Sequence, residues 1–174
     1  MATKIVASAG AGASLMAIAM YVATPQIQGL EGTKYVAYHD IGGVLTDCSG
    51  HTGPDVVVGK VYTPAECQAL TEKDAEKAAS GVLKYSPQLL WHPMQLAAAI
   101  SFSYNVGNGT YEKSYVEANF NSGNFQAACD SLLKYTYAAG KYSSGLANRR
   151  KQEWTVCTST LTVKGLANVG YAPS

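Results

Sequence analysis

The stretch of the chain that departs most from a globular pattern runs from Ile5 to Ala23 (IVASAGAGASLMAIAMYVA), where apolar and small residues follow one another with no ionisable side chain but the Tyr21 phenol. As a helix it reaches roughly 28 Å. A hydrocarbon layer is about 30 Å thick, so the pattern predicts a segment that can just span a membrane. Lys4 and the amino terminus carry the positive charge ahead of it, which predicts a cytoplasmic N-terminus and a body on the far side after Thr24. The span is dilute, because Ala, Gly and Ser separate its Ile, Val, Leu and Met. Each strongly apolar side chain adds only about −0.3 to −0.6 kcal/mol to insertion, so its hold on lipid is predicted to be marginal. Two rival readings stand beside this one. A cleaved secretory signal would use Ala17-Ile18-Ala19 as its small-residue site, and a permanent dimerising anchor would use Gly10 and Gly12 for close packing.

Beyond the span, Thr24–Gly29 (TPQIQG) reads as a linker or turn. The chain therefore divides into an N-terminal segment, residues 1–24, and a folded domain, residues 25–174. From Tyr35 to Tyr62, Val, Thr and Tyr alternate with turn clusters at Ile41-Gly42-Gly43 and Gly50 to Asp55, which predicts short antiparallel strands. Thr63, Pro64 and Glu66 then mark a helix start with a capping box, continuing past Lys77. Later helical stretches read as Pro93–Asn105, Ser114–Asn119, Asn124–Tyr137 and Gly145–Thr158. The fold class is α+β, a small β-containing lobe and a larger helical lobe.

Composition sharpens the picture: 47% of residues are hydrophobic and 14% charged, against about 25% charged in a typical soluble domain. The formal net charge is +1, which gives no electrostatic case for a nucleic-acid partner. The four cysteines, Cys48, Cys67, Cys129 and Cys157, fit neither zinc-site nor CxxC redox spacing. Two disulfides in an oxidising compartment are the expected state, and no metal or other cofactor is implied. Four cysteines allow three pairings, of which Cys48–Cys67 with Cys129–Cys157 staples each lobe internally.

Glu31 follows the linker, Asp40 comes at the turn into the strands, and Thr46 lies further along. Two carboxyls and a hydroxyl converging between two lobes are what glycosidic cleavage requires: an acid for the leaving oxygen and a second group to steady positive charge or activate water. The segment Leu30 to Gly53 (LEGTKYVAYHDIGGVLTDCSGHTG), with its Glu-x8-Asp-x5-Thr spacing, resembles the signature of phage-type lysozymes, glycoside hydrolase family 24. Ser101 to Ser114 (SFSYNVGNGTYEKS) and Gly145 to Trp154 (GLANRRKQEW) resemble two further blocks of that family, in the same order.

The resemblance implies a lysozyme-like fold with an active-site cleft between the lobes. It implies hydrolysis of the β-1,4 bond between N-acetylmuramic acid and N-acetylglucosamine in bacterial peptidoglycan, with Glu31 as general acid, Asp40 as water-orienting or charge-stabilising carboxylate and Thr46 positioning the water. A lytic transglycosylase acting on the same bond is the alternative. Tyr104, Asn105 and Ser114 fall in a cleft-lining block and are candidate sugar contacts, although helix packing and capping would use them equally well. His51 reads as structural rather than as a base or ligand, Arg149 and Arg150 as helix-surface and interlobe ion-pair residues, and Trp154 as core. Where the family often has glycine, this chain has Cys48. The Gly/Ala-rich span also resembles the signal-anchor-release endolysins, which implies an uncleaved segment holding the enzyme to the host inner membrane through residues 5–23. The monomeric enzyme is then released into the periplasm to cause host cell lysis. No cysteine precedes Cys48, so refolding rather than thiol exchange is the expected trigger.

Overall fold

The computed structural model describes residues 9–39 and 43–160. Helix α1 (Ala9–Glu31) is continuous through Pro25, so the turn expected at Thr24–Gly29 does not form. Ala19, Ala23 and Ile27 stand four apart on one face and are fully buried. That stripe packs mainly on the central helix of the domain, and burial of its aliphatic face overrides the one backbone donor that Pro25 removes. Among the described residues no helix is long and apolar enough to cross a membrane. Residues 5–8 of the expected span lie outside them.

Gly32, in the left-handed region at φ +68°, ends α1 with a backbone bond to Gln28 and turns the chain into the small lobe. There β1 (Lys34–His39), β2 (Leu45–Cys48) and β3 (His51–Thr52) form an antiparallel sheet in sequence order. Tyr38 pairs with Thr46, and Thr46 in turn with Thr52. Cys48 adopts φ +47°, a left-handed conformation costing about 1 to 2 kcal/mol for a residue with a Cβ and one that glycine adopts freely. Its disulfide to Cys67 ties the strand to α2 (Pro64–Tyr85). The cap of α2 forms as the sequence predicts, with Thr63 and Glu66 in a reciprocal capping box and Pro64 in the first turn.

The helical lobe surrounds α3 (Pro93–Val106), whose Leu96 to Ser103 are all buried. A 3-10 turn (Pro87–Trp91) leads into it, and α4 (Asn108–Tyr111), α5 (Tyr115–Asn121), α6 (Phe125–Leu132) and α7 (Ser144–Thr158) complete the lobe. Cys129 of α6 is bonded to Cys157 of α7. The helix expected to reach Tyr137 stops at Leu132. Tyr137–Ala138 and Lys141–Tyr142 instead pair as a hairpin, β4 and β5. Its two-residue turn has positive φ at both Ala139 and Gly140, the geometry that matches the twist of a tight hairpin.

Candidate active site

Glu31 is the last residue of α1 and its side chain is one-quarter exposed. Arg149 of α7 donates through Nη1 to Glu31 Oε1. The other carboxylate oxygen faces the turn between β2 and β3, where a Cβ built on Gly50 would lie 3.8 Å from Oε2. Gly50 has φ +86°, so glycine both suits the turn and leaves the carboxylate approachable. Tyr104 of α3 donates its hydroxyl to the Ser49 carbonyl at 2.9 Å, joining the helical lobe to that turn. Burial pushes the Tyr104 phenol well above its ordinary pKa, which keeps it a neutral donor.

Behind Glu31 lies a buried ion network. Arg149 Nε donates to Glu153 Oε1 at 3.1 Å and Nη2 to the Ser101 carbonyl at 3.2 Å. Arg150 Nε lies 2.9 Å from Glu153 Oε2, and its Nη2 donates to Asn105 Oδ1 at 2.9 Å. Ser101 adds a hydroxyl donor to Glu153. Burial lowers Arg150 to about 10 and raises Glu153. Arg149 and Arg150 are buried, which corrects the expectation of a helix-surface position. Glu153, unnoticed in the sequence, is the group that holds both. Its signal was present as acid spacing three and four residues after two arginines on one helix. Trp154 is only partly buried against the core, with Nε1 donating to Asp130 Oδ1 at 2.7 Å.

Thr46 is buried, and its hydroxyl donates to the Val44 carbonyl at 2.9 Å. Asp40, the second expected carboxylate, lies outside the described residues, as do Ile41 and Gly42. Of the three candidate sugar contacts, Tyr104 lines an open cleft, Asn105 holds Arg150, and Ser114 is buried, capping α5 through the Glu117 amide. The cleft is about 290 Å³ and continues from Gly50 past Thr52, Asp74, Lys77, Tyr104 and Asn108. Its far wall depends on Gly81, where any Cβ would collide with the Asn108 side chain. A larger groove of about 420 Å³ between α1 and α2, lined by Met20, Tyr21, Gln28 and Glu72, does not include Glu31.

His51 is buried with two carboxylate partners, Asp74 Oδ2 on Nδ1 at 2.6 Å and Asp55 Oδ1 on Nε2 at 3.2 Å. Asp55 stands four residues on, in a loop rather than on a shared helix. Burial of the imidazole opposes protonation, but the hydrogen bonds and charges of Asp74 and then Asp55 outweigh it, so the His51 pKa is raised. Lys73 bonds Asp55 in turn and, with that loop's own backbone, holds the Asp55 carboxyl down at about 2. Among the described residues no cluster of His, Cys, Asp and Glu is arranged to hold a metal.

This arrangement has clear counterparts. The Phage lysozyme family model matches residues 28–153. The SAR-endolysin of Enterobacteria phage PA-2 is 40% identical over 157 residues, covering 88% of this chain and 92% of that protein. Among solved structures, the lysozyme of phage P22 superposes with a TM-score of 0.68 at 27% identity, over 79% of this chain and 95% of that one. The active form of the P1 phage endolysin Lyz superposes with a TM-score of 0.71 at 21% identity, over 84% of this chain and 92% of that one, and so matches in fold. With a family match over most of its length and an anchor-type relative aligned along nearly all of it, the chain belongs to the phage lysozyme family, in its SAR-endolysin branch.

Proposed function

We propose that this lysozyme hydrolyses the β-1,4 bond between N-acetylmuramic acid and N-acetylglucosamine in bacterial peptidoglycan, with Glu31 as the general acid. The observation that carries the assignment is the Glu31 carboxylate, fixed by Arg149 at the end of α1, with its second oxygen facing Gly50, a residue that also lines the polar cleft. In this reading Glu31 gives its proton to the leaving glycosidic oxygen while Asp40 steadies positive charge at the sugar carbon or orients the attacking water. The Thr46 hydroxyl donates to the Val44 carbonyl, which leaves its lone pairs to accept a hydrogen from that water. Tyr104 on the cleft wall is the proposed sugar-side contact, while Asn105 acts through Arg150, which it holds, and Ser114 through the α5 cap.

The reading extends to where the enzyme works. Residues 5–23 tether the chain to the host inner membrane, with the catalytic domain in the periplasm, and release precedes lysis by a monomeric enzyme. Support comes from α1 itself. Ala19 and Ala23 are fully buried in the folded domain, so these residues cannot face lipid and the core at once. Ala23 and Glu31 lie on one continuous helix, about 12 Å apart along its axis. Membrane residence of the first therefore displaces the second, and refolding of α1 into the core sets Glu31 beside Arg149.

End-group analysis of purified peptidoglycan digested by the full chain tests the chemistry. Reducing muramic acid ends are expected. Anhydro-muramic ends would instead assign the lytic transglycosylase reaction.

A further inference from the structure

The hairpin β4–β5 carries an exposed aromatic pair that neither the core nor the catalytic constellation uses. Tyr137 and Tyr142 are 66% and 62% exposed. They are direct cross-strand partners, so both rings stand on one face of the two-stranded sheet, in edge-to-face contact with centroids 5.9 Å apart. The hairpin is held rigidly for so small an element. Its base is closed by the Ser143 amide donating to the Thr136 carbonyl at 2.9 Å. Tyr135, just before it, is locked against Phe102 of α3 and accepts the Tyr115 amide. Its turn keeps an alanine at φ +48°, a conformation that glycine or asparagine adopts more readily. The geometry of the tyrosine face is thus kept although the turn residue opposes it.

The position of the pair points to its ligand. Ser143, at the foot of the hairpin, caps α7 through the Leu146 amide, and that same helix delivers Arg149 to Glu31 six residues later. Six residues of helix rise about 9 Å, so the foot of the hairpin stands within about one and a half to two helical turns of the arginine that holds Glu31. From Tyr135 to Ser144 the chain has no carboxylate, and its one charge is Lys141. A neutral aromatic face of this kind suits the apolar faces of pyranose rings, and its surroundings do not repel the carboxylates that peptidoglycan carries. We propose that Tyr137 and Tyr142 form a stacking platform for sugar rings of the glycan strand beyond the bond being cut, an extended binding subsite on the β4–β5 hairpin.

This inference rests on the lysozyme reading, and its test separates the two. In the full chain, Tyr137→Ala with Tyr142→Ala is expected to raise KM on purified peptidoglycan about tenfold, with kcat changed less than about twofold and the melting temperature kept. Trp at both positions should restore KM. Co-sedimentation with insoluble peptidoglycan reads binding without turnover, so it tests the platform even in a chain that does not hydrolyse. An unchanged KM together with unchanged co-sedimentation overturns the proposal. So does a double variant whose only loss is binding to vesicles of anionic phospholipid, which would assign the face to lipid, or is self-association in sedimentation velocity, which would assign it to a second copy.

Discussion

Glu31 owes its position to one guanidinium. Arg149 makes three separate hydrogen bonds, to Glu31, Glu153 and the Ser101 carbonyl, a fork that lysine cannot reproduce. Arg149→Lys is therefore expected to fold but to lose roughly ten- to a hundredfold in kcat on peptidoglycan, because a misplaced acid is a poor acid. Steady-state kinetics beside a thermal melt checks it, and a normal kcat would remove Arg149 from the positioning of Glu31. His51 makes the second residue-scale prediction. Its pKa is raised in the fold, so the stability it contributes is complete below its unfolded pKa of about 6.5. That contribution is lost as pH rises through the higher folded value. His51→Gln removes the positive charge that Asp74 and Asp55 share. Melting temperatures should fall most in acid and converge with the parent as pH rises through the folded pKa of His51, and a deficit independent of pH would contradict this. The segment from Glu31 to Thr46 could be picked out in the sequence because its spacing is local. The Arg149 ion pair was expected, though not its partner Glu31 or its burial; Glu153 was overlooked although its spacing from both arginines is local, and Asp74 was missed because His51 lies 23 residues away across the fold.

At the scale of elements, α1 is where sequence and structure part most clearly. Thr24, Pro25 and Gly29 are all turn formers, and local chemistry reads them as a linker. What outweighs them is tertiary: the stripe of Ala19, Ala23 and Ile27 finds α3, and a buried face is worth more than the propensities of a few residues. In the proposed tethering, Ala19 and Ala23 of that stripe would serve two solvents, small enough to hold lipid weakly and smooth enough to pack on α3, while a groove of about 420 Å³ opens between α1 and α2. Ala19→Leu with Ala23→Leu acts on both partners at once, strengthening insertion and overfilling a packed core. The variant should stay in the membrane fraction and delay lysis, as fractionation and turbidity during induction would report. Release at the parental rate would contradict the shared use of α1. The helix read through Tyr137 failed for a complementary reason: Ala139-Gly140 lacks the Asn-Gly or Asp-Gly signal of a tight hairpin, and only the fold holds an alanine in that turn.

For the whole molecule, the α+β division was legible because each lobe declares itself locally, alternation and turns in one, capped periodic helices in the other. The cleft between them was expected from the resemblance, but the glycines that keep it open, Gly50 and Gly81, were not, since they leave space for groups distant in sequence. The two disulfides keep to this plan, one fastening the sheet to α2 and the other α6 to α7. Neither crosses to α1, so no disulfide ties the helix that carries Glu31 to the rest of the domain, as the proposed release requires. The central claim is that the docked helix presents the acid of a glycosidase. The most direct measurement is the rate at which purified full-length protein releases reducing ends from peptidoglycan, compared between the parent and Glu31→Gln, with circular dichroism establishing that both are folded. The account predicts a loss of about a thousandfold or more. A folded Glu31→Gln chain that retains a rate within about threefold of the parent would show that catalysis lies elsewhere.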